Sequence, residues 1–163
     1  MTESAQPDPS MLLSWRASGI IENIVPLIAL AKQHGMSVSE LVTWNVTHYT
    51  DCGFHHAWIA QHGYGNVRAF VNGFVQGRQM LYDHVTVHEH NDQITITSDM
   101  WYLDTPPASF FFFDIEMTEF RAYAAGVVVE HAKRLGVHLD IAEVDGQEIA
   151  QMRPLVTDER TEP

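Results

Sequence analysis

At Tyr82 the spacing of apolar residues changes, and that change limits the fold more than any other feature of the chain. Before it, apolar residues recur every three or four positions, as in helices buried on one side; after it they alternate, as in strands. The stretch YDHVTVHEHNDQITITSDMWYL reads as a β-hairpin with Asn91-Asp92 as a two-residue turn. Closing the chain there sets His90 opposite Gln93, Val87 opposite Ile96 and Val85 opposite Ser98. Val85, Val87, Ile94 and Ile96 then share one face. His84, Thr86, His88, His90, Gln93, Thr95, Thr97 and Asp99 share the other, which is expected to be solvated.

The segments before this switch read as helices. Residues 20–34 have helical spacing and stop at Gly35, with Pro26 either kinking the helix or marking its start. Ser37 with Glu40 three residues on is a capping-box pattern, opening a second helix expected to run to His62 and stop at Gly63. Its β-branched content and Gly53 allow a break near residues 50–53. Asn66 opens a third segment with Val67, Phe70, Val71, Phe74 and Val75 as its apolar stripe.

Beyond the hairpin, Pro106 and Pro107 break the chain, and FFFFDIEM reads as a strand apolar on both faces. A helix over 119–135 follows, introduced by Thr118 and stopped by Gly136. VHLDIAEVDGQEIAQM closes the order as a second hairpin on Asp145-Gly146. The expected class is α+β: N-terminal helices, then a mostly antiparallel five-stranded sheet in the order β-β-β-α-β-β with helices on one face. Residues 11–156 form one domain in this reading, between flexible tails at 1–10 and 157–163. A strand apolar on both faces and a sheet covered on one side lead us to expect a homodimer or other homo-oligomer.

Composition narrows the partners. At 163 residues one core closes without staples, and a single cysteine forms no internal bridge. With no leader pattern at the start and no apolar run near the eighteen or so residues of a membrane span, a soluble, cytoplasmic protein with no membrane partner is expected. Nine Lys and Arg against 21 Asp and Glu give a formal charge of −12, which opposes the phosphate contacts of nucleic-acid binding. A small molecule is the expected partner.

The helix FRAYAAGVVVEHAKRLG and the hairpin IAEVDGQEIAQM, in that order of elements over roughly residues 65–155, resemble the superfamily of 4-vinyl reductase and haem nitric-oxide-binding-like domains. They also resemble the bacterial L-2-amino-thiazoline-4-carboxylic acid hydrolase family. The resemblance implies a small-molecule pocket between sheet and helices. Both families often carry cysteines around the final hairpin; this chain has none there, so no site residue is carried over.

The densest chemistry lies in HYTDCGFHH, residues 48–56, which holds the one cysteine. On a continuous helix His48, Cys52, His55 and Ile59 fall in one narrow sector that also includes Leu41, the apolar side. Three readings compete there. In the first, Cys52 is a nucleophile, His48 or His56 takes its proton, Asp51 orients the imidazole, His55 steadies developing charge, and Trp44, Trp58 and Trp101 wall the pocket. In the second, His48, Cys52 and His56 bind a transition metal, with Glu130, His131 or strand histidines as further ligands, or one histidine binds haem. In the third, Cys52 is a small buried residue and the histidines make ordinary hydrogen bonds. The first makes the protein a cofactor-free hydrolase or ring-opening enzyme for a compact polar or heteroaromatic metabolite. Its rival is a non-catalytic ligand-, haem- or metal-binding sensory module.

Overall fold

The structure, a computed structural model, describes residues 9–82, 84–90, 93–100 and 107–155. Helices α1 (Pro9–Gln33), α2 (Val38–Asp51), α3 (Phe54–His62) and α4 (Val67–Gln79) precede strands β1 (Val85–His90) and β2 (Gln93–Asp99). Helices α5 (Ala108–Phe113) and α6 (Met117–Arg134) then lead to β3 (Val137–Val144) and β4 (Gln147–Pro154). The class is α+β, with helices first and an antiparallel sheet after them. Among the described residues the sheet has four strands, in the order β1-β2-β4-β3, and every neighbouring pair is antiparallel.

Both hairpins follow from alternation. In the first, Val85 pairs with Ser98, Val87 with Ile96 and His90 with Gln93, the expected register; the turn at Asn91-Asp92 lies outside the described residues. In the second, Asp145 and Gly146 both have positive φ, as a two-residue turn matched to strand twist requires. Ile94, Ile96, Leu139, Ala150 and Met152 point to one side of the sheet and pack with Phe70, Val71 and Phe74 of α4 and Ala132 of α6. A second core joins Ile21, Val25 and Ile28 of α1 to Leu41 and Val42 of α2 and Phe120 and Tyr123 of α6.

Several expectations are corrected. The FFFF run is not a strand: it forms the short helix α5, with Phe110 buried, Phe111 and Phe112 86% and 76% exposed, and Asp114 ending the turn at φ +53°. Four apolar residues in a row carry no period, so the pattern by itself leaves helix and strand equally open. The fifth strand therefore disappears, and with it the third strand of the order on which the resemblance was drawn. Helix α1 starts at Pro9, inside the stretch expected as a tail, and passes through Pro26 rather than starting there. Helix α6 starts two residues early, because Glu116 caps it and the Glu119 carboxylate returns to the Glu116 amide.

The helix expected to run from residue 38 to 62 is two helices. Ser37 and Glu40 make the capping box at its start. It ends at Cys52, where Gly53 takes φ +81°, a left-handed conformation that glycine adopts without the Cβ penalty. This break resets the angular position of every later side chain.

Candidate functional site

A cavity of about 280 Å³ lies among α3, α4 and α6. Helix α4 contributes Phe70, Gly73, Phe74, Gly77 and Arg78, which recur at three- and four-residue intervals and so form one stripe. Phe54 and Trp58 of α3, Val128 and His131 of α6, and Leu135 just beyond its end line it by the same spacing. Gly73 and Gly77 supply the space: a methyl group on either would meet no atom within 4 Å. The walls are aromatic and aliphatic, and the polar groups on them are few.

Arg78 is one of these. Only 6% exposed, it bonds through Nε to Glu148 Oε1 at 2.5 Å, while Tyr82 donates its hydroxyl to Glu148 Oε2 at 3.1 Å. The guanidinium carbon lies 4.3 Å from the centre of the Phe74 ring, a favourable stacking of cation on aromatic face. Its Nη2 is buried and has no hydrogen-bond partner among the described residues.

His131 is the other. Its Nδ1 lies 2.8 Å from Nε2 of His55, whose own Nδ1 lies 3.0 Å from Thr50 Oγ1; that hydroxyl donates to Val46 O at 2.9 Å. Tyr49 and Phe54 meet the His131 ring edge to face, at 5.1 and 5.8 Å between centres. Burial, and next the neighbouring His55, push the His131 pKa down to about 4. Burial, and next the charge of Arg134, hold His55 below its ordinary value. Both imidazoles are therefore neutral at pH 7.

The residues singled out in the sequence are dispersed around this site. Trp58 lines the cavity, and His55, buried on α3 after the Gly53 break, stands behind His131. Cys52 is exposed at the end of α2, with its Sγ 3.8 Å from His48 Nε2, and is not on the apolar side as a continuous helix would place it. Trp44, 53% exposed, stacks on His48 with ring centres 5.7 Å apart; neither lines the cavity. Asp51 and His56 are exposed, and Trp101 lies outside the described residues. Among the described residues no three His, Cys, Asp or Glu side chains converge on a metal position. No described helix is long and apolar enough to cross a membrane. This cavity lies among three helices; another, of about 240 Å³, lies between α6 and the sheet, lined by Arg121, Ala125, Ile141 and Glu148.

Sequence reasoning missed Arg78 and the two glycines. The signal for them was present: two glycines four apart inside a helix, each three residues after a phenylalanine of the same stripe. Glycine there costs about 1 kcal/mol against alanine, and that calls for a packing or spatial reason.

No protein-family model matches the chain, and no solved structure matches it. It is 34% identical over 143 residues to the uncharacterized protein YxnB of Bacillus subtilis (strain 168), an alignment that spans 88% of this chain and 89% of that one. The chain belongs to the YxnB family. Those 143 residues take in most of the chain, so the likeness to YxnB is one of whole chains and not of a single motif.

Proposed function

We propose that this YxnB-family protein is a binding module for a compact, flat, largely apolar small molecule, held in the cavity among α3, α4 and α6. The observation that carries the reading is an apolar cavity of about 280 Å³ walled by Phe54, Trp58, Phe70 and Phe74, with Arg78 and His131 among its few polar lining residues. Aromatic walls of this kind bury most of a flat ligand.

This is the second of the two functions read from the sequence, and two observations favour it over catalysis. A general base works best with a pKa near the working pH, and His131 is held at about 4. Cys52, the nucleophile of the first function, is exposed and lies outside the cavity lining.

The test is calorimetric titration with planar bicyclic probes: indole, oxindole and naphthalene. Saturable binding by at least one of them, lost on Gly73→Leu, is the expected result. Absence of saturable binding by all three, or equal binding by the wild type and the filled variant, refutes the reading.

A further inference from the structure

Helix α3 is held to the rest of the protein by few side chains. Of its nine residues only His55 is buried; Trp58 and Ile59 are half-buried against the core under the sheet, and the other six are exposed. His55 carries its polar ties, to Thr50 at the end of α2 and, at 2.8 Å, to His131 of α6. Among the described residues no other α3 side chain is hydrogen-bonded to another helix or strand.

Both ends of α3 are glycines at positive φ. Gly53 has φ +81° and Gly63 φ +89°, and a methyl group on either would meet no atom within 4 Å. Glycine passes between left- and right-handed conformations at little cost, so rotation at these two positions moves the residues between them as one piece. The chain beyond each joint is fixed. On one side the Cys52 amide donates to His48 O at 3.0 Å and closes α2; on the other the Gly65 amide donates to Leu135 O at 2.8 Å.

What α3 covers is the cavity, to which it contributes Phe54 and Trp58, one helical turn apart. The other walls, α4 and α6, are packed into the sheet core through Phe70, Val71, Phe74 and Ala132. The wall that can leave while the others stay is therefore α3.

We infer that α3 is a movable wall of the cavity, which swings as a unit on Gly53 and Gly63, is latched by the His55–His131 hydrogen bond, and closes Phe54 and Trp58 onto a bound ligand. The ligand rests on the binding reading above, whereas the motion belongs to the unliganded protein. A molecule held against Phe54 and Trp58 binds the docked helix and not the undocked one, so it shifts the population toward the docked state.

Native-state hydrogen exchange, read by NMR at the amides of Ala57 to Gly63, tests the motion. Relative to their intrinsic rates, these amides are expected to exchange about tenfold or more faster than the slowest amides of α2 and α6, because they open without global unfolding. Ile21→Val, in the other core, lowers global stability; it should speed the slowest amides and leave those of α3 within about twofold. Gly53→Ala adds no clash but puts alanine in a left-handed conformation that only the docked helix requires, so α3 exchange should rise roughly five- to thirtyfold. His131→Phe removes the latch and should raise it roughly five- to tenfold. Amides of α3 as slow as those of α2 and α6, or rising with them in Ile21→Val, overturn the inference; unchanged α3 exchange in Gly53→Ala overturns the hinge, and in His131→Phe the latch. Of indole, oxindole and naphthalene, one that binds by calorimetry should slow α3 exchange about tenfold when present at about ten times its Kd. A bound probe that leaves α3 exchange unchanged overturns the closure. If none of the three binds, the binding reading falls, and exchange in the unliganded protein decides the hinge on its own.

Discussion

Replacing both cavity glycines by alanine should stabilise this protein. Gly73 and Gly77 lie inside α4 with ordinary helical dihedrals, and a methyl group on either meets no atom within 4 Å. The change therefore adds no clash and removes the backbone-entropy cost of glycine, about 0.8–1.0 kcal/mol at each position. The sites are one helical turn apart, and the two propensity contributions taken together give the double variant roughly 1.5–2 kcal/mol. For a chain of this size that raises Tm by about 3–8 °C. Urea and thermal unfolding measure the gain. A leucine at position 73 goes further, because its side chain enters the cavity and buries apolar surface worth about 1–2 kcal/mol while occluding the space. Stability and binding should then move in opposite directions. If the double alanine variant is less stable than wild type by more than about 0.5 kcal/mol, the space above the glycines is not open and the argument for the cavity fails.

Three further outcomes are expected. Because His131 is neutral when folded down to about pH 4 but takes its proton at the ordinary value of about 6.5 when unfolded, the unfolded state binds more protons between these values. Stability should therefore fall as the pH drops through this window, by on the order of 2–3 kcal/mol, and level off below it; urea midpoints of wild type and His131→Phe across pH 4–7 check this, and an unchanged slope in the variant refutes it. Glu148→Ala should destabilise the fold by about 3–5 kcal/mol by leaving Arg78 buried and unpaired, whereas Arg78→Met with Glu148→Leu should recover most of the loss; equal losses for the single and double variants in equilibrium unfolding would contradict the pairing. Cys52, exposed and outside the cavity lining, should react with iodoacetamide in the folded protein and leave oxindole affinity unchanged; mass spectrometry and calorimetry on the modified protein test both halves, and lost binding would return Cys52 to the site.

What the sequence by itself determined is what depends on near neighbours. Alternation and turn chemistry specified both hairpins, including the pairing of Val85 with Ser98. The capping box at Ser37, the cap at Asn66 and the α+β class were legible for the same reason: each rests on contacts within four residues or on a periodic face. The FFFF run was not, because unbroken apolarity has no period and its state depends on what covers it.

The site was decided by tertiary structure. Gly53 was visible as a place where a helix could break, but a break changes the direction of His55 relative to His48 by an amount set by one left-handed φ, not by residue spacing. His131 lies 76 residues from His55, and Glu148 lies 70 from Arg78, so neither pair leaves a local pattern in the chain. Burial then did what composition does not express: it held two of the ten histidines neutral and, among the described residues, left a guanidinium nitrogen of Arg78 and one of Arg121 without a partner. Those effects arise from desolvation by packed helices, and they exist only once α3, α4 and α6 have come together.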